Sequence, residues 1–332
     1  MVQNGLMSKY LFFFLIIGFI VVSCKNEPTS IPPPKLVVPK FNADSAYAYI
    51  EKQINFGPRV PGTPAQIECR DWIKSKMESY GAKVIEQTYT AKIYNGDELP
   101  GYNILAQFNP SAKKRVMLAA HWDTRMVADK DEDPNKRSEA IDGADDGASG
   151  TAALIEIGRL LQQEKMKNLG VDLMFFDLED QGGLDGETEE VSTYALGSKY
   201  WSENVVPSGY KADFGILLDM IAAKGARFGR EGYSSQYAGI YVDKIWDLAG
   251  KMGKGHLFQN FDSGGIGDDH IHVIQAGIPM VDIINRPMIT KHGFGHYHHT
   301  HKDDISIIDK SNLKAVGQVV TAVIYRHAVG RF

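Results

Sequence analysis

Val171-Asp172-Leu173-Met174-Phe175-Phe176-Asp177-Leu178-Glu179-Asp180 reads as a buried strand over 171–177 that runs out into acids. The same design recurs along the chain. His121 follows the apolar run 115–120, and Asp219 lies at the end of the run 214–220. Further apolar runs fall at 83–90, 102–108 and 279–285. Between and around them the spacing predicts helices: one behind Asp44 as N-cap with Tyr47, Ile50 and Ile54, and one through Ile67, Ile73, Met77 and Tyr80 that stops at Gly81. Others are expected over 149–163, 237–252 and 309–328. Such alternation predicts an α/β fold, a three-layer sandwich with a central, mostly parallel sheet and helices on both faces. The early runs, joined by short turns, predict an antiparallel edge and so a mixed sheet. In an open α/β sheet a site forms beyond the carboxyl ends of the strands, where His121, Glu179, Asp180 and Asp219 stand.

With 332 residues, 43% of them hydrophobic, the chain can bury a full core, and a single domain over 44–332 is expected. A net charge of -5, with no basic run beyond the extreme N-terminus, lacks the footprint of a nucleic-acid binder. Lys9, the apolar stretch from Leu11 to Val22 and then Ser23-Cys24 read as a secretory signal too short to span a membrane, with Met7 a candidate start. Val21-Val22-Ser23-Cys24 also has the form of a bacterial lipobox, which would make Cys24 the lipid-bearing first residue. Residues 25–43 hold Pro28, Pro32, Pro33, Pro34 and Pro39 and read as a tether. An exported, periplasmic lipoprotein of the bacterial cell envelope is expected, touching the membrane through its lipid alone. Cys69, the other cysteine, then has no partner and reads as a packed helix residue.

Four segments supply metal-ligand chemistry: His121-Trp122-Asp123, the glycine-flanked acids of 143–150, the acids after 171–177, and His299-Thr300-His301-Lys302-Asp303-Asp304. Zinc takes imidazole nitrogen and carboxylate oxygen, and a catalytic site uses three such ligands with one position open. Asp146, Asp180 and His299 make the best set. Asp146 sits among small residues that let backbone and metal approach, although an Asx turn capping a helix would use the same pattern. At a strand end both Glu179 and Asp180 can serve one site, one on the metal and one as general base or acid. Asp185, Glu187, Glu189 and Glu190 follow, so a solvated acidic loop is the plainer alternative. Five of the ten histidines lie between 292 and 301, and His298 or His301 competes with His299 for the ligand role. His121 and Asp219, with Asp146 bridging, either hold a second zinc or orient the ligands of the first.

At these residues the chain resembles the M28 zinc peptidase family, and within it the glutaminyl cyclases (glutaminyl-peptide cyclotransferases) of Bacteroidetes-type bacteria. The resemblance runs from about residue 44 to 328 and rests on Asn55-Phe56-Gly57-Pro58-Arg59, Ala120-His121-Trp122-Asp123-Thr124-Arg125, Asp142 to Gly150, Phe175 to Asp180, Ile216-Leu217-Leu218-Asp219-Met220 and Asp268-Asp269-His270. It implies a zinc-dependent acyltransferase that turns the N-terminal glutamine of peptides or proteins into pyroglutamate and releases ammonia. One Zn2+ per chain would sit on Asp146, Asp180 and His299, with Glu179 as general acid/base and Asp219 and Asp268 as a hydrogen-bonded acidic pair. Asp268 favours this branch, since the aminopeptidases of the family usually carry serine there. Ile266, Gly267 and Phe294 fall where the cyclases build the glutamine pocket. His298 stands where they place a tryptophan, and Gly182-Gly183 where the animal enzymes place another. A monomer is expected. The alternatives are a dinuclear aminopeptidase with two zinc ions, and a non-catalytic envelope binding lipoprotein, which would have lost ligands that are all present here.

Overall fold

The computed structural model of the chain describes residues 36–186 and 192–332. The expected leader, Cys24, residues 25–35 of the tether, and Glu187, Glu189 and Glu190 lie outside the described residues. In chain order the elements are α1 (Ala43–Ile54), α2 (Pro64–Ser79), β1 (Lys83–Lys92), β2 (Glu98–Phe108), β3 (Arg115–His121), α3 (Ala148–Gln163), β4 (Gly170–Phe176), α4 (Leu196–Glu203), β5 (Phe214–Asp219), β6 (Phe228–Arg230), α5 (Gly232–Lys251), β7 (Phe258–Asp262), α6 (Asp269–Gln275), β8 (Met280–Ile284) and α7 (Lys310–Ala328).

Six strands form one sheet in the order β1-β2-β4-β3-β5-β8. β1 pairs antiparallel with β2, and β2 with β4, whereas β4, β3, β5 and β8 run parallel. The mixed sheet with an antiparallel edge is therefore as expected. Its parallel part is buried on both faces, because crossover connections put helices there. Period-two geometry divides β3 between two cores: Val116, Leu118 and Ala120 face one, Met117 and Ala119 the other. In β4, Phe175 and Phe176 do the same, and each buried ring stabilises by about 1.5–3 kcal/mol. The first core is covered by α1, α2, α3, α5 and α7; the second is thinner, with Trp201 of α4 and Val273 of α6. The sheet thus lies between two helical layers, the middle of a three-layer α/β sandwich.

Several boundaries differ from expectation. The N-cap of α1 is Asn42, whose Oδ1 accepts from the amides of Asp44 and Ser45; Asp44 is in the first turn, where the helix dipole favours an acid. Residues 36–42, assigned to the tether by their prolines, pack against the domain: Phe41 is buried and its amide donates to Gln318. Leu36 and Val38 lie on the same core. α5 begins before 237 because the Glu231 side chain caps it. The helices α4 and α6 and the strand pair β6–β7 were not anticipated, being too short to print a period. Cys69 is a buried free thiol in α2. Among the described residues no helix is long and apolar enough to cross a membrane.

Candidate active site

Strands β4, β3 and β5 are neighbours, so their carboxyl ends bring Asp180, His121 and Asp219 side by side. Backbone reversals then aim the acids. Leu178, Met220 and His299 all have positive φ, at 52, 49 and 59°, a conformation that costs a non-glycine residue about 1–2 kcal/mol. Leu178 breaks the strand alternation, and Glu179 and Asp180 come to line one cavity. The reversal is held by Asp123, whose carboxylate accepts from the amides of Glu179 (3.1 Å) and Asp180 (3.2 Å) and from the Gln181 side chain. Asp146 stands on the turn before α3, where Gly147 has φ 90° and any Cβ would meet the Asp123 carbonyl oxygen at 2.5 Å. Asp303 grips this turn in the same way, accepting from the amides of Asp145 and Asp146.

The candidate ligands converge. His299 Nε2 lies 2.9 Å from Asp180 Oδ1 and 3.8 Å from Asp146 Oδ2. Donors each about 2 Å from a common zinc sit roughly 3.3 Å apart, so the spacing of His299 from each acid suits a shared ion. All three residues are buried, and Asp146 Oδ2 and Asp180 Oδ2 have no hydrogen-bond partner among the described residues. An unsatisfied buried carboxylate oxygen costs about 1–3 kcal/mol or more, a cost that a bound cation removes. The donor set of two carboxylates and an imidazole fits zinc.

The neighbouring histidines have other partners. His301 turns to Asp131, which takes its amide at 3.0 Å and faces its Nδ1 at 2.9 Å. The compact donor group on this side is Asp146, His298 and His299, which Asp180 adjoins through His299; His298 Nε2 is 3.9 Å from Asp146 Oδ2, but its Nδ1 is 2.9 Å from Lys130 Nζ. An ammonium only donates, so Nδ1 accepts and Nε2 carries the proton, directed at Asp146. His299 differs: its Nδ1 lies 3.6 Å from Asp129 Oδ1 without a hydrogen bond among the described residues, and its Nε2 is the nitrogen turned toward the Asp180 and Asp146 oxygens, where a metal would meet it. Burial holds both imidazoles well below their usual range and therefore neutral.

His121 forms a second cluster with Asp146 and Asp219, at 3.1 and 3.2 Å from its Nε2. Burial opposes its charge, but hydrogen bonds with Asp123, Asp146 and Asp219 raise it well above the usual histidine range. Burial pushes Asp180 up to about 7, Asp219 to about 6 and Asp268 to about 7, the last also through the Asp219 charge. Glu179 is held well above the carboxylate range by burial, with Asp268 and Asp180 adding to the shift and His121 opposing it.

Asp146, Glu179, Asp180, Asp219, Asp268 and His299 line one cavity of about 520 Å³. Ile266, Gly267, Phe294 and His298, expected in the substrate pocket, line it too. Its aromatic wall is a stack: Phe294 on His298 at 4.1 Å, His298 on His299 at 3.7 Å, and Tyr194 parallel to His299 at 6.4 Å. Sequence reasoning missed Tyr194, Lys130 and the anchors Asp123, Asp145 and Asp303. Asp145 holds the amide of Ala222 and the hydroxyl of Tyr297 at 2.6 Å, next to the histidine pair. The available signal was that Asp123, Asp145 and Asp303 lie within the ligand segments themselves.

Known proteins resemble the chain over most of its length. Among solved structures the chain is similar to a glutaminyl cyclase of Porphyromonas gingivalis, with 46% identity and a TM-score of 0.83 over 86% of this chain and 99% of that one. It is also similar to a Zn-dependent exopeptidase of Parabacteroides distasonis, with 44% identity and a TM-score of 0.85 over 87% and 99%. The glutaminyl-peptide cyclotransferase of Bos taurus is 24% identical over 297 residues, 81% of this chain and 78% of that one. The profile of Peptidase family M28 matches residues 103–324, a range that takes in every ligand candidate from His121 to His299, and the chain belongs to that family.

Proposed function

We propose that the chain is a zinc-dependent glutaminyl-peptide cyclotransferase acting on peptides or proteins with N-terminal glutamine. The observation that carries this reading is the meeting of Glu179, Asp219 and Asp268 on the cavity that also holds the metal donors. Hydrolysis needs one general base beside a metal-activated water, whereas closing a ring within one residue needs a proton moved from one nitrogen to another in a confined space. The similar solved glutaminyl cyclase and the bovine cyclotransferase support the same choice.

Asp146, Asp180 and His299 would hold the zinc, which when bound supplies a Lewis acid at the mouth of the glutamine site. The cavity orients the substrate so that its α-amine lies against its own γ-carbonyl, a proximity effect that needs no external nucleophile. Glu179 takes a proton from the attacking α-amine. It returns that proton to the side-chain nitrogen, which leaves as ammonia while the C–N bond of the five-membered ring remains. A group kept high by burial is suited to the donating half of that cycle. Burial and then the Asp219 charge raise Asp268, so the two are not both ionised cheaply; no hydrogen bond joins them among the described residues, and one kept protonated beside the other would hold the departing ammonia. Ile266 and Phe294 give the cavity apolar lining beside these groups.

One further observation favours a second reading. His121, Asp146 and Asp219 offer ligand atoms that all lie within 4.8 Å of one another, and a second zinc held there would make a dinuclear aminopeptidase. Offering the purified protein a glutaminyl dipeptide and an aminoacyl chromogenic amide separates the two: release of ammonia without amide cleavage is expected, and cleavage alone would overturn the cyclase. Elemental analysis should give one zinc per chain, and two would favour the peptidase. The proposal includes export to the cell envelope with Cys24 lipidated and the domain acting as a monomer, which the mass of the mature chain and its sedimentation test.

A further inference from the structure

Asp268, Ile266 and Gly267 belong to a stretch, residues 263–268, that has no regular structure of its own. We propose that Glu231 is a positioning residue for Asp268 and for the adjoining Ile266 and Gly267 wall, holding the Ile266 amide on one side of Asp268 and facing His270 at ion-pair distance on the other.

Glu231 is fully buried, an unusual place for a carboxylate unless its oxygens are occupied. Each oxygen is. Oε1 accepts from the amides of Tyr233 at 2.9 Å and Ile266 at 3.1 Å. Oε2 accepts from the amide of Ser234 at 2.6 Å and lies 3.1 Å from His270 Nε2. Two of these contacts, to Tyr233 and Ser234, are those of an ordinary helix N-cap. The other two reach across to residues two before and two after Asp268. Asp268 is itself the N-cap of α6, with its side chain turned to its neighbour's amide, so the direction of its carboxyl depends on where this backbone is held.

The opposite side of the stretch is held independently: Arg286 donates through Nη1 to the carbonyl of Ser263 at 2.7 Å. Gly232 and Gly265 press together, a Cβ on Gly232 falling 2.8 Å from the amide nitrogen of Gly265. Glu231 therefore stands where α5, the wall stretch and α6 meet, and no other carboxylate described here bonds the amide of Ile266. A capping role alone would leave the contacts to Ile266 and His270 without purpose.

The kinetic part of this inference rests on the cyclase reading; the structural part does not. Two variants separate capping from positioning. E231D keeps a good helix cap but is one methylene too short to reach Ile266 and His270 as well, whereas E231Q keeps its full length and an oxygen for the amides of Tyr233 and Ile266, at the cost of an NH2 facing the amide of Ser234. Amide hydrogen exchange of residues 263–270 should quicken about tenfold or more in E231D, while Tyr233 and Ser234 stay protected. With a glutaminyl dipeptide, kcat should fall by about tenfold or more at unchanged zinc content, the size expected when a reacting group is displaced by a fraction of an ångström. E231Q should recover most of both. An E231D protein whose exchange at 263–270 equals that of the parent overturns the proposal, as does parent-like kcat in E231D, or an E231Q as loose as E231D. Should the parent chain not cyclise glutamine at all, the cyclase reading fails, and the exchange comparison alone decides for or against Glu231.

Discussion

The cavity has two unlike halves. His121, Glu179, Asp180 and Asp219 stand at the ends of β3, β4 and β5, whose ladder hydrogen bonds fix their approach. Asp268, Phe294, His298 and His299 instead ride on irregular backbone between β7 and α7, apart from the first turn of α6. The first half is placed by the sheet. The second is placed by buried anions that reach over long sequence distances to hold single amides: Asp131 takes that of His301 and Glu231 that of Ile266, while Asp145 takes the hydroxyl of Tyr297. The proposed metal ligands come from both halves, so the centre would close only when sheet and loops are both in place.

The largest expected effect joins the halves at the metal. His299→Ala, in the loop half, should lose zinc and with it all measurable turnover. His298→Ala should keep the zinc stoichiometry and weaken affinity by about tenfold, as for a residue that touches a ligand rather than the ion. Metal analysis after dialysis, together with ammonia release, checks both. Equal zinc loss in the two would mean that the Lys130 contact does not set the tautomer of His298. In the strand half, Glu179→Gln preserves shape and leaves the ligands untouched. Turnover should drop by about 10²–10⁴-fold at full zinc occupancy, and a variant within a few-fold of the parent would remove the residue from the proton path.

The two halves also meet in acid–base behaviour. Asp180, Asp219 and Asp268 are raised by burial to about 7, 6 and 7, above the roughly 3.9 of an unfolded aspartate. A carboxyl raised on folding binds more protons folded than unfolded. Metal-free protein should therefore be most stable below about pH 4 as far as these groups decide, losing that contribution as pH rises to about 7. Glu231 acts in the opposite direction. Its pKa is lowered to about 2, burial opposing and His270 and two amides prevailing, so its contribution is present above about pH 4 and is lost as the pH falls toward 2. Zinc on the proposed ligands would replace the proton of Asp180, and its affinity should rise with pH. Melting temperatures with and without chelator should diverge steadily from pH 4.5 to 7. A constant gap would show that these carboxyls do not carry the charge the metal compensates.

How much of this was legible beforehand follows the same division. The strand half was readable because buried parallel strands print continuous apolar runs, and the residues that end them are conspicuous as acids and an imidazole. The sheet, its mixed character and the helices α1, α2, α3, α5 and α7 all carried a period or a cap. What the sequence hid were contacts that local pattern does not encode. Nothing near Asp44 announces that Asn42 is the cap, and nothing near Phe41 announces that Gln318 will fix its amide. The choice among His298, His299 and His301 was open for the same reason, since it turns on Lys130, Asp129 and Asp131, more than 160 residues away. Asp268, Ile266 and Phe294 entered only through resemblance; no periodicity marks them.

The smallest effect tests the loop half where it leaves the metal. His301 is about a third exposed, its Nδ1 is 2.9 Å from Asp131 Oδ2, and the same oxygen takes its amide. Removing the ring in His301→Ala deletes the side-chain contact but keeps the backbone one, so the loop retains half its hold on Asp131. The loss should be about 1 kcal/mol, that of one partly solvated hydrogen bond, with zinc content unchanged and turnover within about two-fold of the parent. Asp131→Ala removes both contacts and should cost more, and it should also slacken the turn that presents His298 and His299. Denaturant melts of the two variants, read beside their zinc content, therefore grade the loop half by how many amides its anions hold. If His301→Ala released zinc as His299→Ala is expected to, the geometry that turns this ring toward Asp131 would not be that of the working protein.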